Sequence, residues 1–142
     1  MSVHERFLAQ LRRLRNLGDG PAPFEAAGVT SSQLELLDWL HRNRDSSLKD
    51  IADGLGVSSP NISVAIRKLE DGGLVSRRPD PDDGRGLIFT MTPEGKALME
   101  RVIVYRTTKA ETLLAPLTGA ERETLVALLE KAMGTGMTTW KE

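Results

Sequence analysis

Two stretches of the chain gather the side chains best suited to reading a nucleic acid. The first is SSPNISVAIRKLEDGG, residues 58–73. In it Ile62, Ala65, Ile66 and Leu69 recur at spacings of three, one and three, the stripe of an amphipathic helix. That stripe faces inward and leaves Pro60, Asn61, Val64, Arg67 and Lys68 outward, with Ser63 on the flank. An amide can pair with adenine, a guanidinium with guanine or a phosphate, and an apolar side chain can touch a thymine methyl. Asn61, Arg67 and Val64 supply one of each. The plainer reading of Arg67 and Lys68 is a solvated helix face.

The second stretch, RRPDPDDGRG at 77–86, packs six charges, two prolines and two glycines between Leu74-Val75 and Leu87-Ile88-Phe89. Its charges bar it from a core. Asp83-Gly84 is a strong two-residue hairpin signal, which predicts strands at about Leu74–Arg78 and Leu87–Met91. Arg85 at the tip suits a narrow minor groove, and Arg77 and Arg78 at the base suit phosphates. Asp80, Asp82 and Asp83 are unexpected in a loop facing a polyanion. Asp83 is predicted to brace Arg85 through a charge-assisted hydrogen bond. A solvated turn is the plain alternative.

Other chemistries find little support. The 142 residues include no cysteine and two histidines, His4 and His41. Disulfides, thiol sensing and Cys-ligated metals are excluded, and no ligand spacing points to a metal. The Gly-containing DGLGVSS follows a helix rather than a strand and so fails the dinucleotide context. His41 falls late in an amphipathic helix, where a surface or helix-end role suits it. No enzyme activity, cofactor or metal is expected. The length suits one domain. No run approaches the roughly 18 apolar residues of a membrane span, and the N-terminus lacks the apolar stretch of a signal peptide. A cytoplasmic protein is expected. A net charge of −1 gives no global basic footprint, so clustering of cations matters more than their total.

The flanking elements must position these groups. Phe7, Leu8, Leu11, Leu14 and Leu17 mark a helix, stopped by GDGPAP. TSSQLELLDWLHRN opens with a Thr30/Gln33 capping box, and Leu34, Leu37, Trp39 and Leu40, with Val29, form its apolar face. Ser47, with Asp50, starts a short helix lined by Leu48, Ile51, Ala52 and Leu55, and Gly54 and Gly56 loosen the connection that follows. Ser59 is read as the next cap, with Pro60 at the first helical position, and Gly72-Gly73 as the stop. Thr92-Pro93 starts a long helix to about Ala115, with Leu98, Val102, Tyr105, Leu113 and Leu114, ended by Pro116. Thr118 and Glu121 cap a last helix carrying Leu125, Leu128, Leu129 and Met133. The tail GTGMTTWKE is expected to be mobile, with Trp140 available to a partner surface. Trp39, Tyr105, Phe24 and Met99 are available to a core or to a ligand pocket.

Two short helices, a tight turn and a hairpin make a winged helix-turn-helix. The fold class expected is mainly α with a small β-hairpin wing (α+β). Residues 30–92 form the winged helix-turn-helix, and 1–29 with 93–142 form a helical dimerisation region. Recognition-helix contacts fall to Ser59, Pro60, Asn61, Ser63, Val64, Arg67 and Lys68, and wing contacts to Arg77, Arg78, Asp83 and Arg85.

The stretches GVTSSQLELLDWL, SLKDIADGLGVSSPNISVAIRKLEDGGLVSRRPDPDDGR and FTMTPEGKALM resemble the MarR family of bacterial transcription regulators. The resemblance implies a homodimer built on N- and C-terminal helices of both chains. It also implies binding to double-stranded DNA at an inverted repeat, usually to repress nearby genes, with release by a small ligand. Two positions depart from the family pattern: Gly84-Arg85 where paired arginines are common, and Val64 where a polar or basic residue is common. Both lower the phosphate contribution.

The residues support the dimer independently. Phe7, Leu8, Leu11, Leu14, Leu113, Leu114, Leu125, Leu128 and Leu129 carry more apolar surface than a three-helix module can cover. A two-fold axis would set two recognition helices about 34 Å, or ~10 base pairs, apart. The competing reading is a winged helix that binds protein instead, favoured by the even balance of Ser58–Thr90, five Arg/Lys against five Asp/Glu. No motif assigns an effector, an operator or the sense of regulation.

Overall fold

The computed structural model describes residues 1–17 and 21–134. The elements are α1 (Val3–Arg15), α2 (Pro23–Ala26), α3 (Ser31–Asn43), β1 (Ser46–Ser47), α4 (Leu48–Leu55), α5 (Ser59–Asp71), β2 (Val75–Pro79), β3 (Leu87–Met91), α6 (Pro93–Leu114) and α7 (Gly119–Met133). This is the expected mainly helical winged helix-turn-helix. Trp140, with the rest of residues 135–142, lies outside the described residues.

The capping boxes read from the sequence form at α3, α4 and α7, through Thr30/Gln33, Ser47/Asp50 and Thr118/Glu121. A fourth, Ser2/Glu5, starts α1. One core joins α3, α4, α5, β2, β3 and the first half of α6. Leu36, Leu37, Leu40, Ile51, Leu69, Leu98, Met99 and Val102 are its fully buried side chains, each worth about 2 kcal/mol of burial. We call this part the head.

The arm is built differently. Neither α1 nor α7 buries a single residue, and α6 buries none beyond Val102. Arg122 of α7 donates from Nε to the Leu114 and Leu117 carbonyls, both at 3.1 Å. The Leu114 carbonyl also accepts from the Leu117 N–H, so one arginine ties the last residue of α6 and the connection after it to α7.

Several boundaries differ from the sequence reading. The α5 N-cap is Ser58, without a side-chain bond, and Pro60 is the second helical residue. Gly54 does not loosen a connection. It lies within α4, where an added Cβ would fall 2.0 Å from the Trp39 ring; only glycine lets that indole cover the helix. Gly56, in the left-handed region at φ 66°, ends α4. A further strand, β1, pairs with β3 through Ser46↔Phe89 and Ser47↔Ile88. The sheet order is therefore β1-β3-β2, and two residues are too short for a periodicity signal. A short α2 is a further difference: Pro23, part of the GDGPAP stop, opens a helix of its own.

Candidate nucleic-acid interface

The reading helix is held from behind. Ile62, Ile66 and Leu69 are buried and fix the roll of α5, so Ser59, Pro60, Asn61, Ser63, Val64, Arg67 and Lys68 are all exposed. Val64 is 59% exposed, an apolar group that the head leaves uncovered. Arg67, Lys68 and Arg85 make no ion pair among the described residues.

The wing is anchored to the helices at its base. Thr92 donates from Oγ1 to the Gly73 carbonyl at 2.6 Å and accepts from the Gly95 N–H, while its own N–H donates to the Leu74 carbonyl. One threonine thus caps α6 and ties it to the end of α5. Gly95 is required by the same crossing, because a Cβ there would lie 2.2 Å from the Leu74 carbonyl oxygen.

The strands pair from Val75↔Met91 to Pro79↔Leu87, one residue beyond the strand start expected at Leu74. Between them lies a seven-residue loop, 80–86, rather than a two-residue Asp83-Gly84 turn. Asp80 N–H donates to the Gly86 carbonyl, and Gly86 N–H donates to the Asp83 carbonyl at 2.9 Å. The closing turn is therefore centred on Gly84-Arg85. Gly84 is not among the positive-φ glycines, whereas the two-residue Asn-Gly type of turn needs positive φ at both positions.

The aspartates explain the shift. The Asp83 carboxylate accepts from the Arg85 backbone N–H at 3.1 Å, and the Asp80 carboxylate accepts from the Asp82 N–H at 2.9 Å. Both are side chain-to-backbone turns of the kind aspartate favours. Asp83 does brace Arg85, but by its main chain, which leaves the guanidinium free to project.

Arg77 and Arg78 have partners that the sequence reading missed. Arg77 Nε donates to Glu70 at 2.7 Å, and Arg78 Nη2 donates to Asp45 at 2.6 Å. Both arginines stay about half exposed. The Arg78 bond, with a second from Thr90, holds the Asp45 carboxyl below its usual range. Arg78 stands on β2 and Asp45 just before β1, on opposite sides of β3, so the pair spans the width of the sheet. Thirty-three residues separate the two, and no local pattern signals such a contact.

A cleft of about 520 Å³ lies between the end of α1, α2 and α6, lined by Arg15, Phe24, Tyr105 and Lys109 among others. Lys109 Nζ sits 5.1 Å from the Tyr105 ring centroid, within cation–π range. Of the four side chains named for a pocket, Phe24 and Tyr105 reach it. Met99 is fully buried in the core, and Trp39 covers Gly54.

Residues 27–86, from the end of α2 through the wing loop, match the model of the MarR family. Over those residues the chain is similar to the MarR family. Among curated MarR-like relatives, it is 29% identical over 109 residues to the uncharacterised HTH-type transcriptional regulator YdgJ of Bacillus subtilis, covering 76% of this chain and 66% of that one. It is 29% identical over 110 residues to the HTH-type transcriptional repressor Rv2887 of Mycobacterium tuberculosis, covering 78% and 79%. The chain thus spans just under two thirds of the length of YdgJ. A mutant of MepR from Staphylococcus aureus, bound to an oligodeoxyribonucleotide, superimposes with TM-score 0.69 at 25% identity, covering 94% of this chain and 96% of that one. YusO of Bacillus subtilis, at 22% identity and TM-score 0.78 over 94% of each chain, shares the fold of this protein.

Proposed function

We propose that this chain is a MarR-family, sequence-specific DNA-binding transcriptional regulator, a ligand-responsive repressor that binds an inverted repeat as a homodimer. The observation that carries the reading is the exposed face of α5. Asn61, Val64 and Arg67 stand outward on a helix whose roll is fixed from behind. In the complex Asn61, Ser63, Val64 and Arg67 face base edges, Lys68 faces the backbone, and Arg85 enters the minor groove beside the reading helix. The N–H groups at the start of α5 have no side-chain acceptor, so a phosphate can take them at Ser59 and Asn61. Arg77 and Arg78 do double duty. Each spends part of its guanidinium on an internal carboxylate, and the remaining donors of a five-donor group stay available to phosphates.

The dimer follows from the arm. Phe7, Leu8, Leu11, Leu14, Leu113, Leu128 and Leu129 are 43–58% exposed, with Leu114 and Leu125 half-buried among them. Isolated helices of 13 and 15 residues are marginal in water, and a second copy of the chain supplies the missing apolar partner. The Arg15–Phe24–Tyr105–Lys109 cleft is the effector site of this reading. Chromosomal DNA as partner puts the protein in the cytoplasm. No helix of the described residues is long and apolar enough to cross a membrane.

Salt dependence tests the reading. Affinity for a duplex should fall steeply between about 50 and 200 mM salt, as several phosphate contacts require. A winged helix that bound protein instead would show no duplex affinity with that slope.

A further inference from the structure

A bidentate ion pair joins the head to the arm. Arg106 donates from Nη1 to Asp38 Oδ1 and from Nη2 to Asp38 Oδ2, each at 2.9 Å. Asp38 belongs to α3 and its side chain is only 13% exposed. The bonds to Asp38 raise the Arg106 pKa. Two parallel N–H···O bonds fix an angle as well as a distance. With Arg106 itself half exposed, the pair adds little to stability, so its use is geometric.

Its position gives that geometry a consequence. Leu98, Met99 and Val102 seat the first half of α6 in the head core, and from Ile103 onward no residue of α6 is buried. Arg106 is therefore placed one turn beyond Val102, where α6 leaves the head. Asp38 is on α3, which packs against α5 through Leu36, Leu37, Ile62 and Ile66 in one core. Rotation of α3 about the α6 axis moves α5 with it, at the end of a lever.

We propose that the Asp38–Arg106 pair is the orientation lock of the head, with Arg106 a positioning residue that sets the separation of the two reading helices in the dimer. The inference rests on the dimeric, DNA-reading function proposed above. Without the fork, the hydrophobic seat of α6 still holds head and arm together, but the angle between them is no longer unique. Half-site spacing then loses its penalty.

Arg106→Lys is the informative variant, because it keeps the charge and removes the planar fork. Asp38→Asn, which keeps the shape and removes the charge, is the second. The cysteine-free chain allows spin labels at Asp71→Cys on α5 and Glu111→Cys on α6, with labelled chains diluted in unlabelled ones. The parent should give one narrow distance, and both variants a broad distribution at unchanged helix content. On duplexes whose half-sites are moved by one base pair, the parent should lose about tenfold in affinity and Arg106→Lys about threefold or less. Affinity for a single half-site should not change.

A narrow distance and full spacing discrimination in both variants would overturn the lock. Should the parent bind no duplex at all, the regulatory reading fails, while the distance widths still decide whether the pair fixes the head. A single-half-site affinity that fell with spacing discrimination intact would make Arg106 a contact residue and also overturn the proposal.

Discussion

The head and the arm of this protein solve the burial problem in opposite ways. In the head, five helices and strands and half of α6 close one core with eight fully buried side chains. Its exposed polar groups are left for an outside partner. In the arm, α1 and α7 bury nothing, and what they expose is leucine and phenylalanine. A chain that finishes one half and leaves the other open is built to be completed by a copy of itself. In the proposed dimer the head carries specificity and the arm carries symmetry.

That division can be broken by substitution. The largest effect should come from Leu128→Asp. A two-fold interface meets the substitution twice, and at about 2 kcal/mol per central residue the dimer Kd should rise about a thousandfold, read by sedimentation equilibrium. The head should keep its fold, and cooperative loss of the head with the dimer would show that the two regions are not separable. Gly95→Ala strikes the head instead. Its Cβ meets a backbone carbonyl that cannot move aside, and overpacking of this kind costs about 3 kcal/mol in denaturant unfolding of the dimer.

Arg85→Ala should leave both regions intact, weaken duplex binding, and reduce the salt slope by about 1; an unchanged slope would remove the wing tip from the interface. Arg44 caps α3 at φ 55°, a backbone conformation that strains any residue with a Cβ. Arg44→Gly should therefore stabilise the head by about 1 kcal/mol, seen as a shifted denaturation midpoint at constant slope. The smallest effect concerns pH. The Asp45 carboxyl is lowered by its bond from Arg78, then by Thr90. A group whose folded pKa is depressed contributes above its unfolded value, about 3.9, and loses that contribution as pH falls through the folded value. Amide protection in β2, relative to the intrinsic exchange rate, should fall below about pH 4, and Asp45→Asn should remove the dependence.

The head was largely legible in the sequence because its determinants are local. Capping boxes span three residues, the Ile62–Leu69 stripe sets the roll of α5, and two glycines end it. What sequence reading missed depends on distant partners. Gly54 reads as a loose joint until the Trp39 ring is seen to lie over it. Arg77 and Arg78 read as free cations until Glu70 and Asp45 arrive from α5 and from the bend before β1. The Asp38–Arg106 pair spans 68 residues and carries no motif. In the wing, a strong turn dipeptide was overruled by Asp83, whose carboxylate captured the Arg85 N–H and moved the turn forward by one residue. The apolar stripes of the arm were visible at once, since exposed leucines at helical spacing need no tertiary knowledge to be noticed.

The most direct test of the central claim is selection of the purified dimer against a random duplex library at roughly 150 mM salt, near physiological ionic strength. A two-fold DNA reader should recover an inverted repeat with half-sites ~10 base pairs apart. Recovery of no sequence, from protein shown to be folded and dimeric, would contradict it.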